Sequence, residues 1–223
     1  MLNKTLLVFI VFDIIFLLCA GLHLFIPLYT RMNINKNTNV DNIASNLLLD
    51  NCPLTASMVN SIIMFVTFLL SVPAFFLKRN RTYLKLHAWG VVIAAALTLA
   101  IGIEIWFSTL QTKKNLLPIW NAQPASIQIM LQQKFQCCGY SNVALFTKDP
   151  VTCDSAATAA RLGPCITPFG VFANRFLDIV FTTFFGFVAV DMMLLLAALC
   201  LIKDRKEKER YRLIDEKRGF GPI

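Results

Sequence analysis

Charge is scarce in this chain: Asp, Glu, Lys and Arg make up 15% of its 223 residues, against 57% hydrophobic ones. Soluble domains carry about a quarter of their residues charged, so this composition and a mean hydropathy of +0.62 exclude an ordinary soluble domain and read as a membrane protein. Acidic residues are the scarcer sign, 13 against 21 Lys and Arg, for a formal charge of +8. The basic side chains cluster at the ends of apolar runs rather than on one face, which argues against a nucleic-acid partner and makes the charge a marker of membrane orientation. Histidine is scarcer still. His23 and His87 both sit at span ends, and no Ser, Cys or carboxylate constellation shares a polar domain with either, so the chain does not read as an enzyme. Glycosylation acceptors are limited to Asn3-Lys4-Thr5 and Asn80-Arg81-Thr82.

What is present is four long apolar runs. Residues 6–28, 57–77, 86–107 and 176–202 are each long enough to cross a hydrocarbon core of roughly 30 Å as a helix, predicting an all-α, four-span fold. Residues 1–5 precede the first span, and residues 29–56 read as a short, poorly structured polar loop. Pro73 and Asn60 interrupt the second span. The third is thick with small residues (Gly90, Ala94, Ala95, Ala96, Ala100, Gly102), which permit close helix approach and suggest a central place in the bundle. Lys78, Arg79, Arg81 and Lys85 crowd the loop at 78–85, and Lys and Arg recur through the tail at 203–223, whereas the first loop holds Arg31 and Lys36 alone. The positive-inside rule therefore places both termini and the 78–85 loop in the cytosol. The 108–175 loop, long enough to be translocated regardless of charge, lies outside.

That loop holds Cys137, Cys138, Cys153 and Cys165. Adjacent Cα atoms lie about 3.8 Å apart and adjacent cysteines rarely pair with each other, so each must bond downstream, in a nested or a crossed pattern, of which the nested is favoured. Each bridge contributes roughly 3 kcal/mol to a subdomain too small to build a secure core. A metal site is disfavoured, since the adjacent spacing does not chelate and the loop has no histidine. Trp106 to Trp120 extends the third span as a stalk helix, a second helix runs from Pro124 to about Gln136, and the 138–165 segment, rich in Ala and Thr with turns at Asp149-Pro150 and Gly163-Pro164, is the candidate recognition region.

Three carboxylates, Asp13, Glu104 and Asp191, fall well within spans, where a charge costs about 2.5 to 3.5 kcal/mol at mid-depth, and a fourth, Asp178, falls at the outer end of the last span within reach of water. Counting 1.5 Å per residue puts Asp13 and Asp191 about 12 and 16 Å from the cytosolic ends, close enough in depth to face each other, with Glu104 near the opposite end. Interhelical hydrogen bonding is the leading reading of all three. Cys200, three residues before Lys203, is a candidate S-acylation site; Cys19 reads as an inert packed thiol and Cys52 as an odd extracellular one. Tyr211 and Ile214 fit a tyrosine-based sorting pattern, against a plain charged continuation of the fourth helix with Asp204–Lys208 and Arg205–Glu209 pairs.

Four spans, cytosolic termini, a small first and a large second outer loop, Cys137-Cys138-Gly139, Pro150-Val151-Thr152-Cys153 and a last cysteine shortly before the fourth span together resemble a tetraspanin, over essentially the whole chain. The resemblance implies a cone-like four-helix bundle, nested disulfides in a mainly helical loop, and a non-enzymatic scaffold without a cofactor that gathers other membrane proteins, including copies of itself, and lipids into plasma-membrane microdomains with endosomal or vacuolar cycling. It also implies a cavity lined near Asp13, Glu104 and Asp191 that takes a sterol. The short 138–165 segment and the Cys-Cys-Gly-Tyr wording are similar to fungal tetraspanins linked to appressorium-mediated host penetration. The rival from another class is a small transporter or channel for ions or protons using the intramembrane carboxylates. A claudin-type junction protein fits less well, because its large loop and cysteine pair fall between the first two spans.

Overall fold

The computed structural model describes residues 4–33, 39–76 and 81–218. Lys78 and Arg79 of the basic loop, the acceptors Asn3 and Asn80, and the last five residues of the tail lie outside them. Eight α-helices follow in order: α1 (Lys4–Asn33), α2 (Ile43–Asp50), α3 (Leu54–Phe76), α4 (Thr82–Leu110), α5 (Thr112–Asn121), α6 (Ala125–Phe135), α7 (Ala156–Leu162) and α8 (Ile166–Lys217), with one 3₁₀ turn at Val143–Leu145 and no strand among the described residues. Four of them, α1, α3, α4 and α8, are long and apolar enough to cross a membrane.

The chain divides into two compact units, the first of Met1–Ile26, Thr55–Ala100 and Phe184–Ile223, the second of Pro27–Leu54 and Ile101–Thr183. In the first, each helix turns one stripe inward. On α4 that stripe includes Leu84, His87, Val91, Ala94 and Thr98, spaced three and four residues apart. The opposite face of α4 leaves Leu86, Trp89 and Ile93 exposed, so α4 packs on one side; it is not the surrounded helix its small residues suggest. Of those residues Gly90 carries the close approach, since a Cβ there would lie 2.5 Å from Thr67 Oγ1 on α3.

Helix α3 is built inside out relative to a soluble helix. Ser57, Asn60, Ser61, Thr67 and Ser71 are buried, while Val59, Ile62, Val66 and Leu69 are half exposed or more. In water that arrangement would leave apolar surface wet; in a bilayer it is the favourable one, because outward apolar faces meet lipid and inward polar groups meet one another. Asp13 meets Ser71 and His23 meets Ser57, so α1 and α3 run antiparallel; Asn60 with Thr98 and Thr67 with His87 set α4 antiparallel to α3.

The second unit has its own core, containing Leu116, Trp120, Leu131, Tyr140 and Phe169 together with Ile43, Ala44, Leu47 and Leu48 of α2. The described residues of 29–56, which are 29–33 and 39–56, are therefore not the poorly structured loop expected of this polar, asparagine-rich stretch. Helix α1 continues to Asn33, and the i, i+1, i+4, i+5 apolar set of α2 packs as a helix against α6. Lys134 Nζ donates to Asp41 O and lies 5.0 Å from the Phe172 ring centre, tying the start of this segment to α6 and α8. The stalk is real but broken: Gln111 leaves helical geometry between α4 and α5.

Replacing Gly90 by Leu is expected to destabilise the first unit by about 1–3 kcal/mol through overpacking against Thr67. Gly21→Leu, where nothing lies within 4 Å, is expected to be neutral. Thermal unfolding in detergent compares the two; equal midpoints would show that α3 and α4 do not meet at Gly90.

Candidate functional site

The polar centre of the second unit starts at Gln136, whose left-handed φ of 50° ends α6 and turns the chain into Cys137 and Cys138. Cys137 bonds Cys165 and Cys138 bonds Cys153, with Cα separations of 5.0 and 5.8 Å. The two bridges serve different cores. Cys137–Cys165 lies among Leu131, Tyr140 and Phe169, whereas Cys138–Cys153 packs with Ala159, Phe146 and Leu162 in a small cluster of its own. Gly139 is required between them and the next turn: its φ is +71°, and a Cβ would stand 2.5 Å from the Asn142 carbonyl oxygen.

Backbone bonds complete the junction. Cys138 N donates to Gly163 O, Cys165 N to Gly139 O and Ile166 N to Tyr140 O, at 2.8 to 2.9 Å. Two side chains hold the segment: Gln132, which no sequence motif marks, and Asp149 of the expected Asp149-Pro150 turn. Gln132, fully buried, accepts from Gly139 N at 2.9 Å and donates to Thr147 O at 2.8 Å. Asp149 accepts from Val151 N and Thr152 N, both at 3.1 Å, closing the turn at Pro150. On this frame stand Leu145 and Val151, 79% and 78% exposed, the two most exposed large apolar side chains among the described residues.

In the first unit, Asp13 and Asp191 each have their own neighbours. Ser71 Oγ lies 2.6 Å from Asp13 Oδ2 and 2.8 Å from Phe68 O, so one hydroxyl proton serves two acceptors. His87 Nδ1 is 2.9 Å from the Thr67 carbonyl and must donate to it, which turns Nε2 toward Asp13 Oδ1 at 3.6 Å. Asp191 is fully buried beside Thr98 and Cys19, and among the described residues neither carboxylate oxygen has a partner in hydrogen-bond geometry, the Thr98 hydroxyl proton being directed to Ala94 O. Thr98 in turn donates to Ala94 O and accepts from Asn60 Nδ2 at 2.9 Å. His23 Nδ1 meets Ser57 Oγ at 3.1 Å, and its ring packs against Phe184 and Phe187. Of the partners Ser71, His87, Thr98 and Asn60, the helical spacing of polar residues 57, 60, 67 and 71 in an apolar helix signals Asn60 and Ser71, whereas nothing comparable marks His87 and Thr98 on α4.

Glu104 belongs to the second unit. It is exposed and lines a cavity of about 300 Å³ together with Cys52. Cys52 is a half-buried free thiol that donates to Leu48 O at 3.3 Å. Burial first, and the Glu104 charge second, push that thiol up to about 11. No group of three or more His, Cys, Asp or Glu suited to a metal occurs among the described residues.

In the tail portion of α8, Cys200 is an exposed free thiol, and Tyr211 and Ile214 lie on the exposed surface one helical turn apart. Lys208 pairs with Asp204 at 2.8 Å, but the expected Arg205–Glu209 pair is replaced. Glu209 binds Arg81 at 2.6 Å and Arg205 donates to Ala74 O at 2.7 Å, because the end of α3 and the start of α4 supply closer partners than the next turn of the same helix. Comparison with protein-family models, curated proteins and solved structures finds no match for this chain.

Cys52 stays protonated at neutral pH, so its alkylation rate is expected to climb about tenfold per pH unit well past the ordinary thiol range near 8.5 without levelling. Mass mapping of the alkylated peptide against pH checks this; a plateau close to pH 8.5 would place the thiol in open water.

Proposed function

We propose that the protein is a four-span membrane scaffold of the tetraspanin kind, with cytosolic termini, placed in the plasma membrane, that gathers other membrane proteins through the segment between Cys138 and Cys165. One observation carries the reading: Leu145 and Val151 are held almost fully exposed on a backbone fixed by two disulfides, Gln132 and Asp149. Exposed apolar side chains on a rigid frame are an anchor awaiting a partner, since ordering costs are already met and burial adds about 1.5 to 3 kcal/mol for each side chain covered. The rest of the chain serves as the membrane mount.

A second reading, a small ion or proton carrier, is favoured by one feature, the buried Asp191 whose two carboxylate oxygens lack hydrogen-bond partners among the described residues. Flux assays in liposomes separate the two, because a scaffold supports no flux that depends on Asp13 or Asp191.

The scaffold reading is tested with Leu145→Asp combined with Val151→Asp. Both positions are exposed, so the disulfides and surface display are expected to persist. Co-purification of membrane proteins in mild detergent is expected to fall at least about tenfold, equivalent to 1.4 kcal/mol. Undiminished capture would move the partner surface elsewhere.

A further inference from the structure

The cavity in the second unit has a chemistry of its own. Its floor is apolar, made by Leu48, Ile105, Leu116 and Leu177, each at most 7% exposed. Its rim is polar, and the thiol and hydroxyl donors of that rim, with one N–H of Asn51, are already used. Asn51 Nδ2 donates to Leu47 O at 2.8 Å, the Cys52 thiol to Leu48 O at 3.3 Å, Ser108 Oγ to Glu104 O at 3.1 Å, and Thr112 Oγ1 to Thr109 O at 2.8 Å. On these lining residues that leaves acceptor lone pairs on Asn51 Oδ1, the Ser108 hydroxyl and the Glu104 carboxylate, against one remaining N–H of Asn51. Asn115 adds a carboxamide that can offer either end. Among the described residues lining the cavity, Glu104 alone is charged, and no lysine or arginine neutralises it there.

An apolar floor under an acceptor-rich, negatively charged rim selects for a molecule with an apolar body and a donating cation at one end. A carboxylate ligand would meet like charge, and an alcohol would leave Glu104 without a counter-charge. The volume of about 300 Å³ is at the small end of ligand cavities, enough for a body the size of an aromatic ring with a short arm. We propose that this cavity binds an ammonium-bearing amphiphile, with Glu104 as its counter-ion. The source of the ammonium is either a free amine or the headgroup of an aminophospholipid, and both present the same group to Glu104.

Cys52 provides the readout, because it lines the same cavity and an occupant covers it. Full-length protein in lipid nanodiscs made only of phosphatidylglycerol is alkylated with N-ethylmaleimide at one fixed pH, with phenylbutylamine, phenylbutanol or phenylbutyrate added, and the Cys52 peptide is quantified. The amine is expected to slow the reaction at a concentration at least about ten times lower than the alcohol, with the carboxylate weakest. Glu104→Gln is expected to equalise amine and alcohol, and Glu104→Asp to retain the amine preference. Because Glu104 is exposed and both replacements are close in size, loss of folding is not expected; unchanged thermal unfolding verifies it.

A second arm omits the soluble amine and compares phosphatidylethanolamine with phosphatidylglycerol nanodiscs. Slower alkylation in phosphatidylethanolamine, abolished by Glu104→Gln, assigns the ammonium to a lipid headgroup; protection by the soluble amine alone assigns it to a free amine. Equal protection by all three phenylbutyl compounds, an amine preference that survives Glu104→Gln, or no protection in either arm would overturn the proposal.

Discussion

The second unit depends on two bonds that leave one point of the backbone in different directions. Cys137 carries its bridge into the larger core and Cys138 carries its bridge into the smaller one, so a two-residue stretch joins both. Neither cluster is large. By the loop-entropy estimate the two closures, spanning 28 and 15 residues, contribute on the order of 3 kcal/mol each, comparable to several buried side chains. Gly139 then lets the chain double back without a Cβ striking Asn142, and Gln132 fills the space beneath with a satisfied amide. Remove the divergence at Cys137 and Cys138 and the 139–164 segment loses both covalent ties, leaving α7, one 3₁₀ turn and the hydrogen bonds of Gln132, Asp149 and the junction backbone to hold it.

The first unit follows a different solvent logic. Its helices keep valine, isoleucine and leucine outward and bring serine, threonine, asparagine, histidine and aspartate inward, where they find one another across helices. Each such hydrogen bond adds about 0.6 kcal/mol in a membrane, so their weight is in register more than in stability. They fix which turn of α1 faces which turn of α3 and α4. Asp191 departs from this pattern, being buried without a hydrogen-bond partner for either oxygen among the described residues.

Much of this was legible in the residues. Four apolar runs longer than 20 residues admit few alternatives, and the helices at 4–33, 54–76, 82–110 and 166–217 contain them, save residue 77, which lies outside the described residues; the other ends extend because polar residues such as Thr82 and Lys203 continue a helix once its apolar turns are set. The position of α6 followed from Pro124, and the stalk expected from Trp106 to Trp120 is helical on both sides of a break at Gln111. The missed features are tertiary. Helix α2 hides in an asparagine-rich stretch because its four core residues make sense only against α6, and the partners of Asp13 come from helices far away in sequence. Arg205 and Glu209 were paired by spacing alone, where distant partners outcompete an exposed i,i+4 pair that contributes only a few tenths of a kcal/mol.

One unit is thus built on helices long and apolar enough to cross a membrane, and in the other two diverging bridges impose the shape of a segment. Non-reducing peptide mapping of the full-length protein, extracted from membranes after free thiols have been blocked, tests that claim most directly. It is expected to recover Cys137 linked to Cys165 and Cys138 linked to Cys153, with Cys19, Cys52 and Cys200 as blocked thiols. Recovery of Cys137 with Cys153 and Cys138 with Cys165, or of any of these four as a free thiol, would contradict it.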